Sequence, residues 1–243
     1  AVIVVLFSLA SLFGLRELAA VSRLRLTDGL RQRVEPARDD LDRARRIVSD
    51  LDQFYASRKD LAWARARLSE RRADVLDADS LLDEAEDILL APLDQKAQAE
   101  VEQAARQVAA VTALVPLALA DVVTALLSSL RMIRLIAEIY GGRSGFFSSW
   151  KLTRAVFRHL VATGAVAVGD DLLEPILGGS VLSKLSRRFG EGLVNGALTA
   201  RVGLAAMEVC RPMPFSVRAK PSTRTVIQNA LTGLVSRDKS AKR

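Results

Sequence analysis

The sequence feature that most constrains the fold is the apolar stretch from Val108 to Leu127, in which Asp121 is the only charged residue. Its 20 residues are long enough to cross the hydrocarbon core of a bilayer as one helix. Arg106 precedes the stretch and Arg131 and Arg134 follow it, whereas a membrane span usually carries its excess of basic residues on one side. We therefore predict a helix buried at the centre of a helical domain, with a membrane span as the alternative.

The composition favours an all-α fold. Half of the residues are hydrophobic but only 5% are aromatic, and alanine, leucine and arginine are abundant, which is typical of helices rather than of sheets. Cys210 is the only cysteine, so an internal disulfide and zinc-finger spacing are both excluded. We predict a helical membrane anchor followed by a cytoplasmic multi-helix bundle.

Residues 1–15 contain no charged side chain and are predicted to be the end of a transmembrane helix. The segment up to residue 33 is rich in arginine, with only Glu17 and Asp28 as acids. Because basic residues next to a span stay in the cytoplasm, this end of the helix is predicted to face the cytoplasm. A core helix of a soluble protein is the alternative. The residues predicted to set the topology are Arg16, Arg23, Arg25, Arg31 and Arg33.

Changes in composition along the chain predict four segments. Residues 1–33 are the anchor and its basic juxtamembrane segment, and residues 34–104 form an amphipathic helical region. In that region, Leu41, Ala44, Val48, Leu51 and Tyr55 repeat at steps of three and four, which predicts a helix with one apolar face. Residues 105–215 are predicted to form an apolar helical core domain, and residues 216–243 a basic tail.

Positive charge is concentrated in the second half of the chain. From Arg131 onward there are 18 basic and 7 acidic residues, whereas the preceding part has 17 basic and 21 acidic residues. Such a surplus attracts anionic lipid, nucleic acid or an acidic protein. Beside a membrane segment we favour lipid. Nucleic acid is disfavoured, because no aromatic residues alternate with the arginines to stack on bases.

Two groups of residues resemble chemical sites. Asp170, Asp171 and Glu174 could hold a divalent cation, but acids after a glycine and before an apolar run are also typical of helix capping, which we favour. His159 is the only histidine and is predicted to be a half-buried structural residue, because no cysteine or aspartate lies beside it at metal-ligand spacing. We predict no metal, cofactor or catalytic site.

Small residues recur every fourth position in the last apolar segment, at Gly192, Gly196 and Ala200. This spacing leaves a flat helix face that another backbone can approach closely. We predict that the face packs against a helix of the same chain. Association into a homo-oligomer is the alternative.

Several segments together resemble the YcjF-like family of bacterial inner-membrane proteins of unknown function. They are LAWARARL, LLAPLD, LRMIRLIAEIYGGRSG, VGDDLL and above all RRFGEGLVNGALTARVGLAAMEVCRPMPF. The resemblance implies two N-terminal spans and a helical C-terminal domain. It also implies a P-loop nucleotide-hydrolysing partner of the YcjX type and a link to envelope stress. It supplies no catalytic residues.

These observations favour a non-enzymatic, membrane-anchored helical adaptor that presents its cytoplasmic domain to a P-loop partner or to lipid. One alternative is a multi-span transporter or pore component in which Asp121 lines the pathway, since ionisable groups inside a membrane are usually functional. Another is a metal-dependent hydrolase that uses Asp170, Asp171 and Glu174.

Overall fold

The computed structural model describes residues 27–114, 118–141, 146–162, 187–217 and 220–230. Side chains are described in the same ranges except at residues 114, 118–122, 146–151 and 187–189. All regular elements in this part of the chain are helical, so the predicted all-α class is confirmed there. The predicted transmembrane segment at residues 1–15 lies outside the described residues.

Nine α-helices are described, joined by shorter helical turns. Their bounds are α1, residues 27–34; α2, Leu41–Phe54; α3, Ala62–Arg71; α4, Ala78–Ala85; α5, Ala91–Leu114; α6, Ala118–Ile139; α7, Phe146–Ala162; α8, Arg187–Cys210; and α9, residues 223–230. Glu35–Ala37 and Lys59–Leu61 are 3₁₀ turns. Glu86–Leu90 is a π-helical turn between α4 and α5.

The chain divides into two compact units. Unit 1 comprises Ala1–Lys96, Ala137–Lys151 and Cys210–Lys220, and unit 2 comprises Ala97–Ile136, Leu152–Val209 and Pro221–Arg243. The four contiguous segments predicted from composition are not tested by this division and stay predictions.

Unit 1 is built around α2, whose apolar face follows the predicted spacing. Asp40 caps the helix by accepting a hydrogen bond from the Arg43 backbone N–H at 3.0 Å, which satisfies one of the unpaired donors of the first turn. Ala44, Val48 and Leu51 are buried, together with Ile47. Burial of each large aliphatic side chain stabilises the fold by about 1.5–3 kcal/mol.

Asp77 caps the start of α4, because its carboxylate accepts a hydrogen bond from the Ser80 backbone N–H at 2.8 Å. From α4 the chain continues through the π turn into α5 without a break at Pro92. Proline has no N–H and clashes with the preceding turn, and the wider π turn, in which the Ala91 N–H bonds to the Glu86 carbonyl, accommodates it.

The stretch from Val108 to Leu127 is divided between α5 and α6, and residues 115–117 lie outside the described part. Val108, Ala109 and Thr112 are buried, in keeping with a core helix. On α6, however, Val123, Leu126 and Leu127 are exposed. The expected burial of the whole stretch is therefore wrong for the described part of α6.

At its other end α6 finishes at Ile139, and Gly141 follows with φ +95°. A Cβ at Gly141 would lie 2.9 Å from the Phe54 ring. Both the backbone angle and the space therefore require glycine at position 141.

One helix within the described ranges, Gly190–Cys210, is long and apolar enough to span a bilayer, and 61% of its most apolar window is buried inside the protein. A buried core helix can have the same length and composition.

Candidate functional site

The densest group of charged side chains in unit 1 surrounds Arg211, directly after α8. Its Nε and Nη2 donate to the two carboxylate oxygens of Asp94 at 3.0 and 2.9 Å, and Nη2 also donates to Glu86 at 2.9 Å. Arg211 is 1% and Glu86 0% exposed. Buried charges are tolerated only when paired and hydrogen-bonded, and this group, which we call the charge cluster, meets that condition.

The chain after Arg211 closes the charge cluster. The remaining guanidinium nitrogen, Nη1, donates to the carbonyls of Met213 and Pro214 at 2.9 and 2.6 Å, so all three nitrogens have acceptors. The Phe215 ring lies 4.1 Å from the guanidinium carbon, within the range of a cation–π contact.

Glu86 holds the next residues of the same segment. Its carboxylate accepts from the Ser216 hydroxyl, from the Ser216 backbone N–H and, at 3.1 Å, from the Val217 backbone N–H. Burial raises the pKa of the Glu86 carboxyl, but the Ser216 hydrogen bond and the charge of Arg211 outweigh burial and hold the pKa below its ordinary value. The π turn thus carries an ionised side chain that fixes residues 211–217.

Two tyrosines extend the charge cluster toward α2. The Tyr140 hydroxyl donates to Asp94 at 2.7 Å, and the Tyr55 hydroxyl donates to the Tyr140 carbonyl at 3.1 Å. Burial is the main cause that raises the pKa of both phenols, and the charge of Asp94 adds to it. Both tyrosines therefore stay neutral donors at physiological pH.

The charge cluster was not predicted. Arg211 was counted only as part of the basic surplus in the second half of the chain. The available signal was local: Glu86 and Asp94 flank the apolar run ILLAPL, and Arg211 stands between Cys210 and Pro212 in an apolar segment. The cluster is a structural clamp, because its polar atoms bond to one another.

Unit 2 contains a close helix crossing at the predicted small residues. A Cβ at Gly192 would lie 2.6 Å from the Ala109 carbonyl oxygen, and one at Gly196 would lie 3.0 Å from the Ala105 carbonyl oxygen. Ala200 is fully buried. These positions of α8 therefore face the backbone of α5 at distances that leave no room for a larger side chain at Gly192.

His159 lies on α7 with its Nε2 2.6 Å from a carboxylate oxygen of Glu208 on α8. The histidine is half-buried and the glutamate is mostly buried. The contact joins α7 and α8 within unit 2. Sequence analysis predicted a structural role for His159.

An apolar row lies exposed on α6. Val123, Leu126 and Leu127 are 54%, 53% and 60% exposed, and Leu130 is 36% exposed. The spacing of three and four places them on one face of the helix. Solvent exposure of such a contiguous set is unusual and marks an interaction surface.

A second exposed surface lies on unit 1 around Trp63 of α3. This side chain is 70% exposed, and the Arg67 guanidinium carbon lies 5.3 Å from its ring centroid. The ring borders a groove with Ile88 and Pro92 among its lining residues. Arg71 at the same groove pairs with Glu84 at 3.1 Å. We call this set the tryptophan groove.

The predicted topology residues are described only in part. Arg16, Arg23 and Arg25 lie outside the described residues. Arg33 pairs with Asp50 at 2.8 Å on the surface of unit 1. Burial lowers the pKa of Arg31, although the charge of Asp28 opposes this effect.

The carboxylates of the two alternative functions are also outside the described part. Asp170, Asp171 and Glu174 belong to residues 163–186, and the side chain of Asp121 is not described although the residue lies in α6. Among the described residues no group of three or more histidine, cysteine, aspartate or glutamate side chains could hold a metal ion.

Comparison with known proteins places these features in a bacterial family. The family described as Domain of unknown function (DUF697) matches residues 76–236. The match includes Glu86, Asp94 and Arg211 of the charge cluster and the whole α5–α8 crossing. The chain therefore belongs to the DUF697 family.

Similar proteins are named as membrane proteins. The chain is 41% identical to a UPF0283 membrane protein of Mesorhizobium japonicum over 209 residues, which cover 85% of this chain and 58% of the relative. A UPF0283 membrane protein of Chelativorans sp. is 43% identical, with 85% and 59% covered. A third, from Agrobacterium fabrum, is 42% identical, with 91% and 62% covered. The chain spans about three fifths of the length of these relatives. No solved structure matches.

Proposed function

We propose that this protein is a non-enzymatic, membrane-anchored helical adaptor of the YcjF-like type. It lies in the bacterial inner membrane with most of the chain on the cytoplasmic side, as a helical bundle. It presents a surface of unit 1 to a P-loop nucleotide-hydrolysing partner of the YcjX type, and the two act in envelope stress. The similarity to named membrane proteins supports the membrane location.

The observation that carries the adaptor role is the tryptophan groove. Tryptophan is seldom left in solvent, and tryptophan and arginine dominate the residues that contribute most to protein interfaces. Arg67 lies over the ring, so the groove presents both of these residue types together. Ile88 and Pro92 supply an apolar surface beside it, and the exposed carboxylate of Asp87 is among the lining residues.

The clamp described above supports the same role. Rigid scaffolds position binding residues more exactly than mobile ones, and the charge cluster ties the π turn, which lies in the same helix as the groove residues Glu84 and Ile88, to residues 211–217. The anchor orientation is proposed from Arg16, Arg23, Arg25, Arg31 and Arg33 by the positive-inside rule.

Co-purification from native membranes tests the adaptor role. The full-length protein should recover a P-loop nucleotide-hydrolysing protein, and Trp63→Ala should weaken that association by about 2 kcal/mol or more, as hot-spot residues do. Leu76→Ala is the matched control, because Leu76 is a large apolar residue of unit 1 that is 77% exposed and is not part of the groove lining. Equal recovery with Trp63→Ala, or no P-loop protein with the wild type, would contradict the proposal.

A further inference from the structure

We propose that the exposed face of α6 is a second membrane contact, which lies in the interface of an anionic bilayer without crossing it. The inference rests on the proposed membrane-anchored role and identifies the part of unit 2 that meets the lipid. Its apolar element is the row Val123, Leu126, Leu127 and Leu130, and we call this row with Arg131 and Arg134 the lipid face.

The order of side chains along α6 matches a bilayer interface. The four apolar residues occupy two turns, and the exposed positions that continue the same face are Arg131 and Arg134, followed one turn later by Glu138. At a rise of 1.5 Å per residue the apolar row is about 10 Å long. That length suits insertion to the boundary between headgroups and acyl chains, about 5–10 Å deep, and is far short of the roughly 30 Å of a bilayer core. Long basic side chains can then reach the headgroups while their stems stay on apolar surface.

The charge of α6 indicates which kind of partner contacts its exposed face. Residues 123–136 of α6 contain two arginines and no acid. In the part of the chain that the structure describes, neither arginine forms an ion pair within 4.0 Å. The apolar row followed by Arg131 and Arg134 complements the acyl boundary and the anionic headgroups of a bilayer.

The neighbouring helix of unit 2 has the same character. On α7, Arg154, Phe157, Arg158 and Val161 are exposed, and residues 152–162 contain no acid. Both helices are supported by the same end of α8, where a Cβ at Gly203 would lie 2.9 Å from the Met132 sulfur and Glu208 contacts His159. Because the exposed faces of α6 and α7 are both apolar and basic, one extended partner such as a bilayer could contact both.

Depth-dependent fluorescence quenching tests the lipid face in the full-length protein. An environment-sensitive dye is attached at Leu127→Cys or, as the control, at the exposed Leu76→Cys of unit 1. Cys210 is buried, and labelling of the wild type gives the background. The protein is reconstituted into vesicles of phosphatidylcholine with and without phosphatidylglycerol, which carry quenchers at a shallow or a deep position of the acyl chain.

In the anionic vesicles the dye at position 127 should be quenched by the shallow quencher, at a depth of about 5–10 Å, while the dye at position 76 stays unquenched. Arg131→Gln and Arg134→Gln should each lower the equilibrium constant for engagement about fivefold, the equivalent of about 1 kcal/mol per charge near the surface. Circular dichroism of the variants checks that the helices are retained.

Every other quenching pattern would contradict membrane contact through the lipid face. Stronger quenching at the deep position would mean that α6 crosses the membrane, as the transporter alternative requires. If the dye at position 127 reports an apolar environment but is not quenched, protein rather than lipid covers the face. That protein is a second copy if the apolar signal rises with protein density, and a segment of this chain if the signal does not. If the dye at position 127 reports a polar environment and is not quenched, the face is exposed to solvent. None of these outcomes affects recovery of the P-loop partner through Trp63, so the two proposals fail separately.

Discussion

Replacing Arg211 by methionine tests most directly how much stability the charge cluster contributes. Methionine keeps an unbranched apolar stem but removes every hydrogen bond of the guanidinium, and it leaves Glu86 and Asp94 buried without their cation. Removing one partner of a buried ion pair costs about 3–5 kcal/mol. Domains of this kind are stable by only about 5–15 kcal/mol, so a large share of the stability is lost. At roughly 2–4 °C per kcal/mol for 150–250 residues, the melting temperature should fall by about 10 °C.

The assay is urea unfolding of the purified protein, followed by far-ultraviolet circular dichroism, beside the control Arg46→Met. Arg46 is an exposed residue of α2 outside the charge cluster, and its replacement should change stability by at most about 0.5 kcal/mol. Adding Glu86→Gln and Asp94→Asn to Arg211→Met should restore part of the loss, because neutral amides are less costly to bury than unpaired carboxylates. Equal stability of Arg211→Met and Arg46→Met would refute the assignment of the cluster as a clamp.

The pH dependence of the same variants follows from the charges. In the wild type the pKa of Glu86 is held below its ordinary value, so its contribution is present above about pH 4–5 and is lost as the pH falls through the folded-state pKa. Without Arg211, one of the causes that oppose burial is removed, so the pKa of Glu86 is higher in the folded variant than in the folded wild type. On acidification, Glu86 is therefore protonated earlier in the folded variant than in the folded wild type, and the stabilisation that the wild type gains from Arg211 is lost. The difference in the free energy of unfolding between the wild type and Arg211→Met should therefore be largest near pH 7–8 and become smaller toward pH 4. A difference that does not change with pH would contradict this reasoning.

Three further predictions concern the helix crossing and the chain ends. Gly192→Ala should cost about 1–3 kcal/mol in urea unfolding because its Cβ meets backbone, whereas Gly190→Ala on the same helix meets nothing within 4 Å and should gain up to about 1 kcal/mol; equal effects would show that the crossing is open. A fragment that begins at residue 36 should be less stable than one that begins at residue 27, because Leu30 and Val34 are buried, at about 1.5–3 kcal/mol each; coincident unfolding curves would contradict it. Removing residues 231–243 should weaken binding to anionic vesicles, and added salt should weaken the binding of the intact chain, since screening acts within about 10 Å; vesicle sedimentation that shows no change would exclude the tail as a lipid contact.

The helices of unit 1 could be predicted where local spacing alone decides them. The steps of three and four from Ala44 to Leu51 specify one buried face of α2 whatever lies opposite, because a helix has 3.6 residues per turn. The glycine after α6 was predictable for the same reason, since a positive φ at Gly141 is a local requirement.

Features that depend on distant partners could not be predicted. Arg211 and Glu86 are 125 positions apart in sequence, and nothing near either residue identifies the other. By local rules Pro92 favours a helix end, but tertiary burial of Leu89, Leu90 and Leu93 stabilises a continuous helix that loses only one backbone hydrogen bond. The exposure of Leu126 and Leu127 likewise depends on where the other helices pack, so hydropathy alone predicted burial.

The adaptor role is tested most directly by site-specific photo-crosslinking in living cells. A photoreactive amino acid replaces Trp63 in the full-length protein, and in a parallel strain it replaces Leu76, which is exposed on the same unit outside the groove lining. The account predicts that position 63 forms a covalent adduct with a P-loop nucleotide-hydrolysing protein and that position 76 does not. Adducts of equal yield at both positions, or the absence of a P-loop protein from the adducts at position 63, would contradict it.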